Sequence, residues 1–308
     1  MKIIVTGAAG FIGSNLVPHL KQNGHEVISI DTLDSTLYPK KFKLENIRFS
    51  EIELEGGLFN NHSKSNFESV VAIIHLAALP GLISAENSAR LYTQKNVSET
   101  LDFLELARKF NIPKFIYIST SSVYGGAAVG DEEMTCKPIS FYGLSKLMAE
   151  DLVQKFCLEN QIDFQILRLF SVYGPNQRPD MAIQKILKSL LLGQEFKIFS
   201  SLGAIRTNTY VIDVCQAILK SIESSYTNEI YNISGEVEMS LSDWIELCEA
   251  TVGKKLKTSI SPPRFGDQSK THGDIAKACD LLGFQNQMPI KLGLDTQLEK
   301  TRLYLELF

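Results

Sequence analysis

The chain has 308 residues, of which 44% are hydrophobic, and its formal net charge is −4 at neutral pH. This length and composition predict a globular protein with a large core. The acidic balance argues against a nucleic-acid-binding protein, which usually carries a basic patch. Five scattered cysteines without a C-x-x-C pair indicate neither a zinc site nor a disulfide framework. We expect a cytoplasmic protein without a metal site, and no apolar run is long enough to cross a membrane.

The first strand, turn and helix carry the strongest signal. An apolar run at 3–5 leads into a glycine-rich turn, and an apolar helical pattern continues to Leu20. Gly7, Gly10 and Gly13 are spaced so that the backbone can turn tightly and approach a pyrophosphate. The N–H groups and the dipole of the following helix attract phosphate. This order predicts a dinucleotide site, and an ordinary strand–helix turn with three glycines is the alternative.

The next segment predicts which dinucleotide is bound. The first helix should end at Gly24 after a kink or weakening at Pro18, and a second strand covers 26–30. Asp31 then follows Gly13 at roughly the 20-residue offset of a carboxylate that binds the adenosine ribose. Because a carboxylate there repels a 2′-phosphate, we expect NAD rather than NADP. The alternative is an aspartate that simply ends a strand.

Strands and helices alternate along the rest of the chain. The further predicted strands are 47–54, 70–76, 115–118, 164–170 and 230–233, and the further predicted helices are 88–110, 140–160, 180–192 and 212–223. This alternation predicts an α/β fold with a doubly wound parallel sheet of the Rossmann type. We expect an NAD-binding domain and a smaller, mixed C-terminal substrate-binding domain. The first takes 1–172 together with 209–233, and the second takes 173–208 and 234–308.

Polar side chains lie where these predicted elements meet. A cluster of hydroxyl residues at 119–122 ends a strand, where an open α/β sheet binds ligands, and a solvated loop is an equal alternative. Tyr142 and Lys146 lie one turn apart on one helix face, although any helix can carry such a pair by chance. A neighbouring cation favours a phenolate, and lowering a tyrosine pKa toward 7 takes about 4 kcal/mol. We expect His75 to be a core or supporting histidine.

Recognisable segments run through nearly the whole chain. They are TGAAGFIGSNL at 6–16, Asp31, HLAA at 75–78, Asn96, STSSVYG at 119–125, YGLSK at 142–146, RLFSVYGP at 168–175, Arg206, PRFGD at 263–267 and GDIAKACDLLGF at 273–284. In this order they resemble the extended short-chain dehydrogenase/reductase family of NAD-dependent nucleotide-sugar epimerases and dehydratases. The sequence is most similar to the UDP-glucuronate 4-epimerases in that family, because the run at 173–182 and LPG at 79–81 also match.

The resemblance implies a role for each matching residue. Tyr142 would remove the proton of the sugar 4-hydroxyl, Lys146 would lower the pKa of Tyr142, and Thr120 would lie beside O4. Tyr142 and Lys146 would also contact NAD. The other implied NAD-binding residues are Gly7, Gly10, Phe11, Ile12, Gly13, Asp31, Glu53, Leu54, Leu76, Ala77, Ala78 and Asn96. The implied substrate-binding residues are Ser121, Ser122, Ser171, Arg178, Arg206, Arg264 and Asp267.

Two serines narrow the reaction that the resemblance implies. Ser121 and Ser122 stand where related dehydratases carry Asp-Glu, the acid and base that loss of water needs. UDP-glucuronate decarboxylases usually have Glu at the position of Ser122. The resemblance therefore implies 4-epimerisation of UDP-glucuronate through a transient 4-keto sugar, with the hydroxyl residues and Arg178 around the sugar carboxylate. Arg178 as a plain loop residue is the alternative.

Other functions on the same fold stay open at this point. The main alternative is a 4-epimerase of UDP-glucose or UDP-N-acetylglucosamine. A decarboxylase, a dehydratase and a catalytically silent NAD-binding sensor fit the intact Thr120, Tyr142 and Lys146 set less well. The resemblance also implies a homodimer, because helices at about 90–110 and 141–160 usually form a four-helix interface in this family. A UDP-sugar is the expected partner, with no nucleic acid and no membrane.

Overall fold

A six-stranded parallel sheet lies at the centre of the described structure. The computed structural model describes residues 1–31, 67–81, 88–199, 204–262 and 268–306. From one edge to the other, the strands are β10 (Glu229–Ile233), β6 (Asp163–Leu169), β4 (Lys114–Thr120), β3 (Val70–His75), β1 (Lys2–Thr6) and β2 (Glu26–Ile30). Each neighbouring pair is parallel. This order confirms the predicted doubly wound sheet.

Helices cover both faces of the sheet, so its strands are apolar on both sides. Successive side chains of a strand point to opposite faces. Ile3 and Val5 accordingly pack with α1 (Phe11–Gln22) and α6 (Val211–Glu223). Ile4 packs on the other face, with α3 (Glu99–Lys109) and α4 (Phe141–Asn160). Two separate apolar layers therefore hold the glycine turn and the Tyr142 helix in fixed places around one sheet.

The segments outside the central sheet form a second layer with its own core. A smaller sheet contains β5 (Ala127–Gly130), β7 (Ser171–Tyr173), β9 (Ile205–Tyr210), β11 (Glu238–Ser240) and β13 (Lys270–Gly273). Strands β8 (Glu195–Ile198) and β12 (Lys257–Ile260) pair in parallel. The helices of this part are α5 (Ala182–Leu192), α7 (Leu241–Val252) and α9 (Ile290–Glu306), whereas α8 (Ala276–Leu282) packs against β10 and α6 in the core of the central sheet. Tyr173, Leu187 and Trp244 lie in its apolar core.

The predicted helix at 88–110 is helical in the structure, but its type changes along its length. The segment 88–110 is not a single α-helix, because α2 (Ser88–Tyr92) leads into a π-helical turn at Thr93–Ser98 before α3 begins. The wider π turn carries Asn96 inward, where its side chain bonds to backbone and to another helix. By contrast, α1 runs without interruption through Pro18. The predicted strand at 47–54 lies outside the described residues. None of the described helices combines the length and apolar character that a membrane span requires.

Candidate active site

The glycine turn joins β1 to α1 in very little space. Gly7 has φ of 66°, in the left-handed region that favours glycine, and a Cβ atom there would lie 2.8 Å from the backbone nitrogen of Ala77. A Cβ atom on Gly13 would lie 2.2 Å from the carbonyl oxygen of Gly7. A side chain at either position would therefore displace backbone, and the spacing of the glycines follows from these contacts.

The start of α1, beside this turn, has no side-chain cap among the described residues. Gly10 is the N-cap residue, and within the described chain no side chain caps this end or places an acid in the first turn, which begins with Phe11 and Ile12. The first N–H groups of a helix need an acceptor from outside the helix. Asp31, at the end of β2, accepts a hydrogen bond from the backbone N–H of Ala9 at 2.9 Å. The predicted ribose ligand thus lies against the predicted phosphate site.

His75 at the end of β3 is a buried, neutral support for the turn. Thr100 Oγ1 donates to the Asn96 carbonyl oxygen at 2.8 Å, so it accepts from Nε2 of His75 at 3.0 Å. Nδ1 then accepts from Thr6 Oγ1 at 2.8 Å, and Thr6 Oγ1 accepts from the N–H of Ala77 at 3.1 Å. Burial, with the charge of Lys146, lowers the pKa of His75 to about 3. This placement fits the expected supporting role.

Asn96 ties the segment after β3 to the helix that carries Tyr142. Its Oδ1 accepts from the N–H of Leu79 at 2.7 Å, and its Nδ2 donates to Oγ of Ser145 at 2.9 Å. Ser145 Oγ in turn donates to the carbonyl oxygen of Tyr142 at 2.8 Å. With only 1% of its surface exposed, Asn96 positions these elements. Its predicted contact with NAD stays a prediction.

Lys146 follows Tyr142 by one turn on α4. It is buried, its Nζ donates to the carbonyl oxygen of Ile118 at 2.6 Å, and the same atom lies 4.0 Å from the ring centroid of Tyr117. Burial lowers the pKa of Lys146 to about 7, and the charge of Glu150 opposes that shift. The ammonium group is thus held by β4, and its protonation is balanced near neutral pH.

The start of α4 sets the position of Tyr142. Ser140 caps the helix by accepting from the N–H of Gly143 at 3.1 Å, and a Cβ atom on Gly143 would lie 2.5 Å from the carbonyl oxygen of Ser122. This close approach places Tyr142 next to the hydroxyl cluster. Burial raises the pKa of Tyr142, whereas Arg178 and a hydrogen bond with Thr120 lower it. Arg178 is the cation that lowers the pKa of Tyr142 in this structure, and the predicted action of Lys146 on that pKa stays a prediction.

The predicted hydroxyl residues follow the ends of β4 and β6. Thr120 Oγ1 donates to Oγ of Ser122 and accepts from its N–H, both at 3.2 Å. Ser121 Oγ donates to Oε1 of Gln268 at 3.4 Å. Ser171 opens β7 and lines a cavity together with residues of β8, β9 and α7. The structure therefore brings Thr120, Ser121 and Ser122 together, with Ser171 at the cavity wall.

Arg178 lies in the loop between β7 and α5. Its Nε and Nη2 atoms donate to the two carboxylate oxygens of Asp180 at 2.9 and 2.7 Å. A two-point pair of this kind fixes the plane of the guanidinium group. Asp180 thus fixes the guanidinium group of Arg178, whose charge lowers the pKa of Tyr142, and the predicted contact of Arg178 with the sugar carboxylate stays a prediction.

Comparison with known proteins agrees with this geometry. Residues 3–234 match the NAD dependent epimerase/dehydratase family. The chain belongs to this family. It is 36% identical over 309 residues to the Bacillus subtilis protein named "Uncharacterized UDP-glucose epimerase YtcB", with 97% of each chain covered. It is 32% identical over 317 residues to a UDP-glucuronate 4-epimerase of Thermodesulfobacterium geofontis, with 99% of this chain and 97% of the relative covered.

A solved structure extends the comparison to the whole fold. The UDP-glucuronic acid 4-epimerase of Bacillus cereus, in complex with UDP-glucuronic acid and NAD, superposes with a TM-score of 0.89. The two chains are 32% identical, and the match covers 99% of this chain and 100% of that one. The cofactor of the family is NAD, and the chain is an NAD-dependent epimerase. The tight glycine turn and the uncapped start of α1 fit such a cofactor, because the first N–H groups of the helix have no side-chain cap from the described residues and can donate to a pyrophosphate.

The cavity beside Ser171 is a part of the epimerase that sequence reasoning missed. Its volume is about 310 Å³, and its walls include Phe196, Asn208 and Trp244. Trp244 Nε1 donates to Oδ1 of Asn208 at 3.0 Å. Arg206 lines the same cavity and donates to the carbonyl oxygens of Ile205 and Gln268. The single tryptophan of the chain was the available sequence signal for this cavity. The strands around it are short, so the sequence pattern did not predict which residues surround it.

A buried ion pair below the site was also missed. Glu150 and Arg168 are joined by Arg168 Nη2 to Glu150 Oε2 at 2.7 Å, and the Ser119 hydroxyl donates to the same carboxylate. Both charged side chains are almost completely buried. Glu150 follows Lys146 by one helical turn, and this spacing was the available signal. The pair fixes α4 against β4 and β6.

The remaining predicted site residues divide into two groups. Leu76, Ala77 and Ala78 form the segment after β3, and the backbone of Ala77 contacts Gly7. Glu53, Leu54, Arg264 and Asp267 lie outside the described residues.

Proposed function

We propose that the protein interconverts UDP-glucuronate and UDP-galacturonate through a transient 4-keto sugar. The observation that carries this proposal is the surroundings of Tyr142, which combine a hydroxyl partner in Thr120 with a cluster of serines and Arg178. Relatives that cover nearly the whole chain are named UDP-glucuronate 4-epimerases, which supports the same substrate.

The proposed chemistry needs a base, a hydride acceptor and a pocket in which the sugar can turn. Tyr142, as phenolate, takes the proton of the 4-hydroxyl while hydride leaves C4, and Thr120 orients that hydroxyl. NAD, when bound, supplies the hydride acceptor and later the hydride donor, so the net reaction is redox-neutral. Lys146, held by the Ile118 carbonyl oxygen, places positive charge at the floor of the site. The ketone is then reduced on its other face, and Tyr142 returns the proton.

The carboxylate of the proposed substrate must be kept from leaving as carbon dioxide. A 4-keto sugar with a carboxylate at C6 is a β-keto acid, which loses carbon dioxide when the breaking bond aligns with the carbonyl π system. Hydroxyl donors at Ser121, Ser122 and Ser171 can hold the carboxylate out of that alignment. None of these three is an acid or a base, so the cluster also lacks the groups that eliminate water.

The nucleotide is proposed to occupy the cavity beside Ser171. Trp244 and Phe196 offer apolar walls for a base, and Arg206 on the same wall would bind the diphosphate that joins the nucleoside to the sugar. The resemblance adds Arg264 and Asp267 to this group. We also propose the domain division stated above, with 1–172 and 209–233 for NAD, and 173–208 and 234–308 for the nucleotide sugar. The end of the six-stranded sheet at β10 supports that division.

Proton NMR of the purified protein with UDP-glucuronate and NAD tests the proposal, with UDP-glucose in a parallel sample. UDP-galacturonate signals in the first sample alone are the expected result. UDP-xylose or a 4-keto pentose would mean that Ser122 does not prevent decarboxylation. The variant Y142F is expected to lose turnover while it still binds NAD, and near-normal turnover of Y142F would refute the mechanism.

A 4-epimerase of UDP-glucose is the second candidate. The charge of Arg178 is already compensated by Asp180, so the site does not require an anionic sugar. The relative with 36% identity is also named as a UDP-glucose epimerase. UDP-galactose as the only product in the paired NMR samples would favour this candidate.

We propose a homodimer built on α4. Phe141, Leu144 and Met148 lie on one face of that helix and are 55, 43 and 42% exposed. Leu91 and Leu101, at 39 and 38% exposure, add apolar surface from the neighbouring helices. Light scattering on L144E/M148E should give a monomer where the wild-type protein gives a dimer. L292E, an exposed leucine on α9, is the matched control and should leave the dimer intact.

A further inference from the structure

The Arg178–Asp180 ion pair and Gly81 lie close together near Tyr142. Arg178 and Asp180 are joined through two hydrogen bonds, and their side chains are 17% and 45% exposed. Because both contacts involve one carboxylate, the guanidinium group has a single plane and a single direction. Asp180 therefore holds the charged group of Arg178 in one position.

Gly81 gives this guanidinium group its place. The residue has φ of 82°, and a Cβ atom there would lie 2.9 Å from Nη2 of Arg178. Glycine thus permits both the backbone shape and the close approach. The carbonyl oxygen of Gly81 accepts from the hydroxyl of Tyr92 at 2.5 Å, and the rings of Tyr92 and Tyr142 lie 6.1 Å apart. These contacts form one continuous cluster from Asp180 to Tyr142.

Charged and titratable groups approach Tyr142 from four elements. Lys146 shares α4, but its Nζ donates to the carbonyl oxygen of Ile118. Tyr117 comes from β4, Tyr92 from α2, and Arg178 with Asp180 from the loop after β7. Burial and Tyr92 raise the pKa of Tyr142, whereas Arg178 and the Thr120 hydrogen bond lower it. Asp180 is itself held ionised by Arg178, with Lys185 nearby, so its pKa is lowered.

We propose that Arg178, fixed against Gly81 by Asp180, is a positioning residue that stabilises the phenolate form of Tyr142 whichever sugar is bound. The inference rests on the proposed function, in which Tyr142 is the base. It gives Arg178 a task separate from holding a sugar carboxylate. It also makes Asp180 a moderator, because its negative charge offsets part of the field of Arg178 at the phenol.

Titration of the phenolate absorbance of Tyr142 tests the inference without turnover. The absorbance of the NAD-loaded protein is followed against pH, and the same curve from Y142F in each background isolates the Tyr142 signal. R178Q should raise the midpoint by about one pH unit, the usual effect of losing a nearby opposite charge. D180N should lower it, because a negative charge is lost while the asparagine oxygen still accepts a hydrogen bond. R178K should retain most of the wild-type position.

If the ion pair had a merely structural role, R178Q and D180N would not shift the phenolate midpoint of Tyr142 in opposite directions. R108Q is the matched control, because Arg108 forms an exposed pair with Glu105 on α3, and its midpoint should equal that of wild type. An unmoved midpoint in R178Q, or shifts of equal sign in R178Q and D180N, would overturn the inference. The proposed function fails separately, if Y142F still turns over UDP-glucuronate.

Discussion

Replacing Glu150 with glutamine tests the ion pair that lies under the site. Glu150 is fully buried and Arg168 is 4% exposed, and three N–H to oxygen contacts of 2.7, 3.1 and 3.2 Å join them. E150Q keeps the shape but leaves the guanidinium charge of Arg168 uncompensated inside the protein. Breaking a buried pair in this way costs about 3–5 kcal/mol. At about 1.4 kcal/mol per factor of ten, the folded-to-unfolded ratio should fall more than a hundredfold.

Urea unfolding of the variant beside two reference variants measures this cost. E105Q breaks the exposed pair of Glu105 with Arg108 and should cost about 1 kcal/mol or less. E150M/R168M removes both buried charges and should recover much of the stability lost in E150Q. If E150Q and E105Q lose the same free energy of unfolding, the buried Glu150–Arg168 pair does not contribute the stability predicted for it.

Three further predictions concern the glycine turn and the two central side chains. G13A should lose NAD binding in calorimetry and unfold at lower urea, because its Cβ atom would lie 2.2 Å from the Gly7 carbonyl oxygen. The control is G24A, where nothing lies within 4 Å of the added Cβ atom but φ is 79°. G24A should lose stability and keep NAD binding. The folded pKa of Lys146 is about 7, below its model-peptide value of 10.5, so the unfolded chain binds more protons between these values. The free energy of unfolding should therefore rise with pH from 7 towards 9 without NAD, more in wild type than in K146M. H75N should weaken the fall in stability below pH 6.5, since His75 stays neutral in the folded state down to about pH 3; an identical acid profile for H75N would contradict this.

The central fold followed from the sequence because its signals are local. Long apolar strands alternate with helices, and the glycine turn lies between the first two, so periodicity and turn chemistry agree. Strands β5, β7 and β11 are short, β9 is mostly polar, and all four take partners from distant parts of the chain, which local patterns do not encode. The π-helical turn depends on Asn96 reaching Leu79 and Ser145, which is a tertiary contact that overrides a regular helical pattern.

The same distinction explains the candidate site. The spacing of Tyr142 and Lys146 predicted that both lie on one face of α4, and they do. Which cation acts on the phenol depended instead on the direction of each long side chain. Lys146 donates to the Ile118 carbonyl oxygen, whereas the charge of Arg178, from the loop after β7, lowers the pKa of Tyr142. Sequence spacing fixes a position along the helix, but it does not fix where an ammonium group finds its acceptor.

The two ion pairs Glu150–Arg168 and Arg178–Asp180 differ in exposure, and this difference gives a last prediction. Glu150 and Arg168 lie in the core, where salt screens little, whereas Arg178 and Asp180 are partly in contact with solvent. The screening length falls from about 10 Å at 0.1 M salt to about 3 Å at 1 M. The phenolate midpoint of Tyr142 should therefore rise at high salt in the wild-type protein and move little in R178Q, whose cation is already gone. The stability that E150Q loses should be nearly the same at both salt concentrations. Equal salt shifts of the midpoint in wild type and R178Q would show that the field at Tyr142 comes from elsewhere.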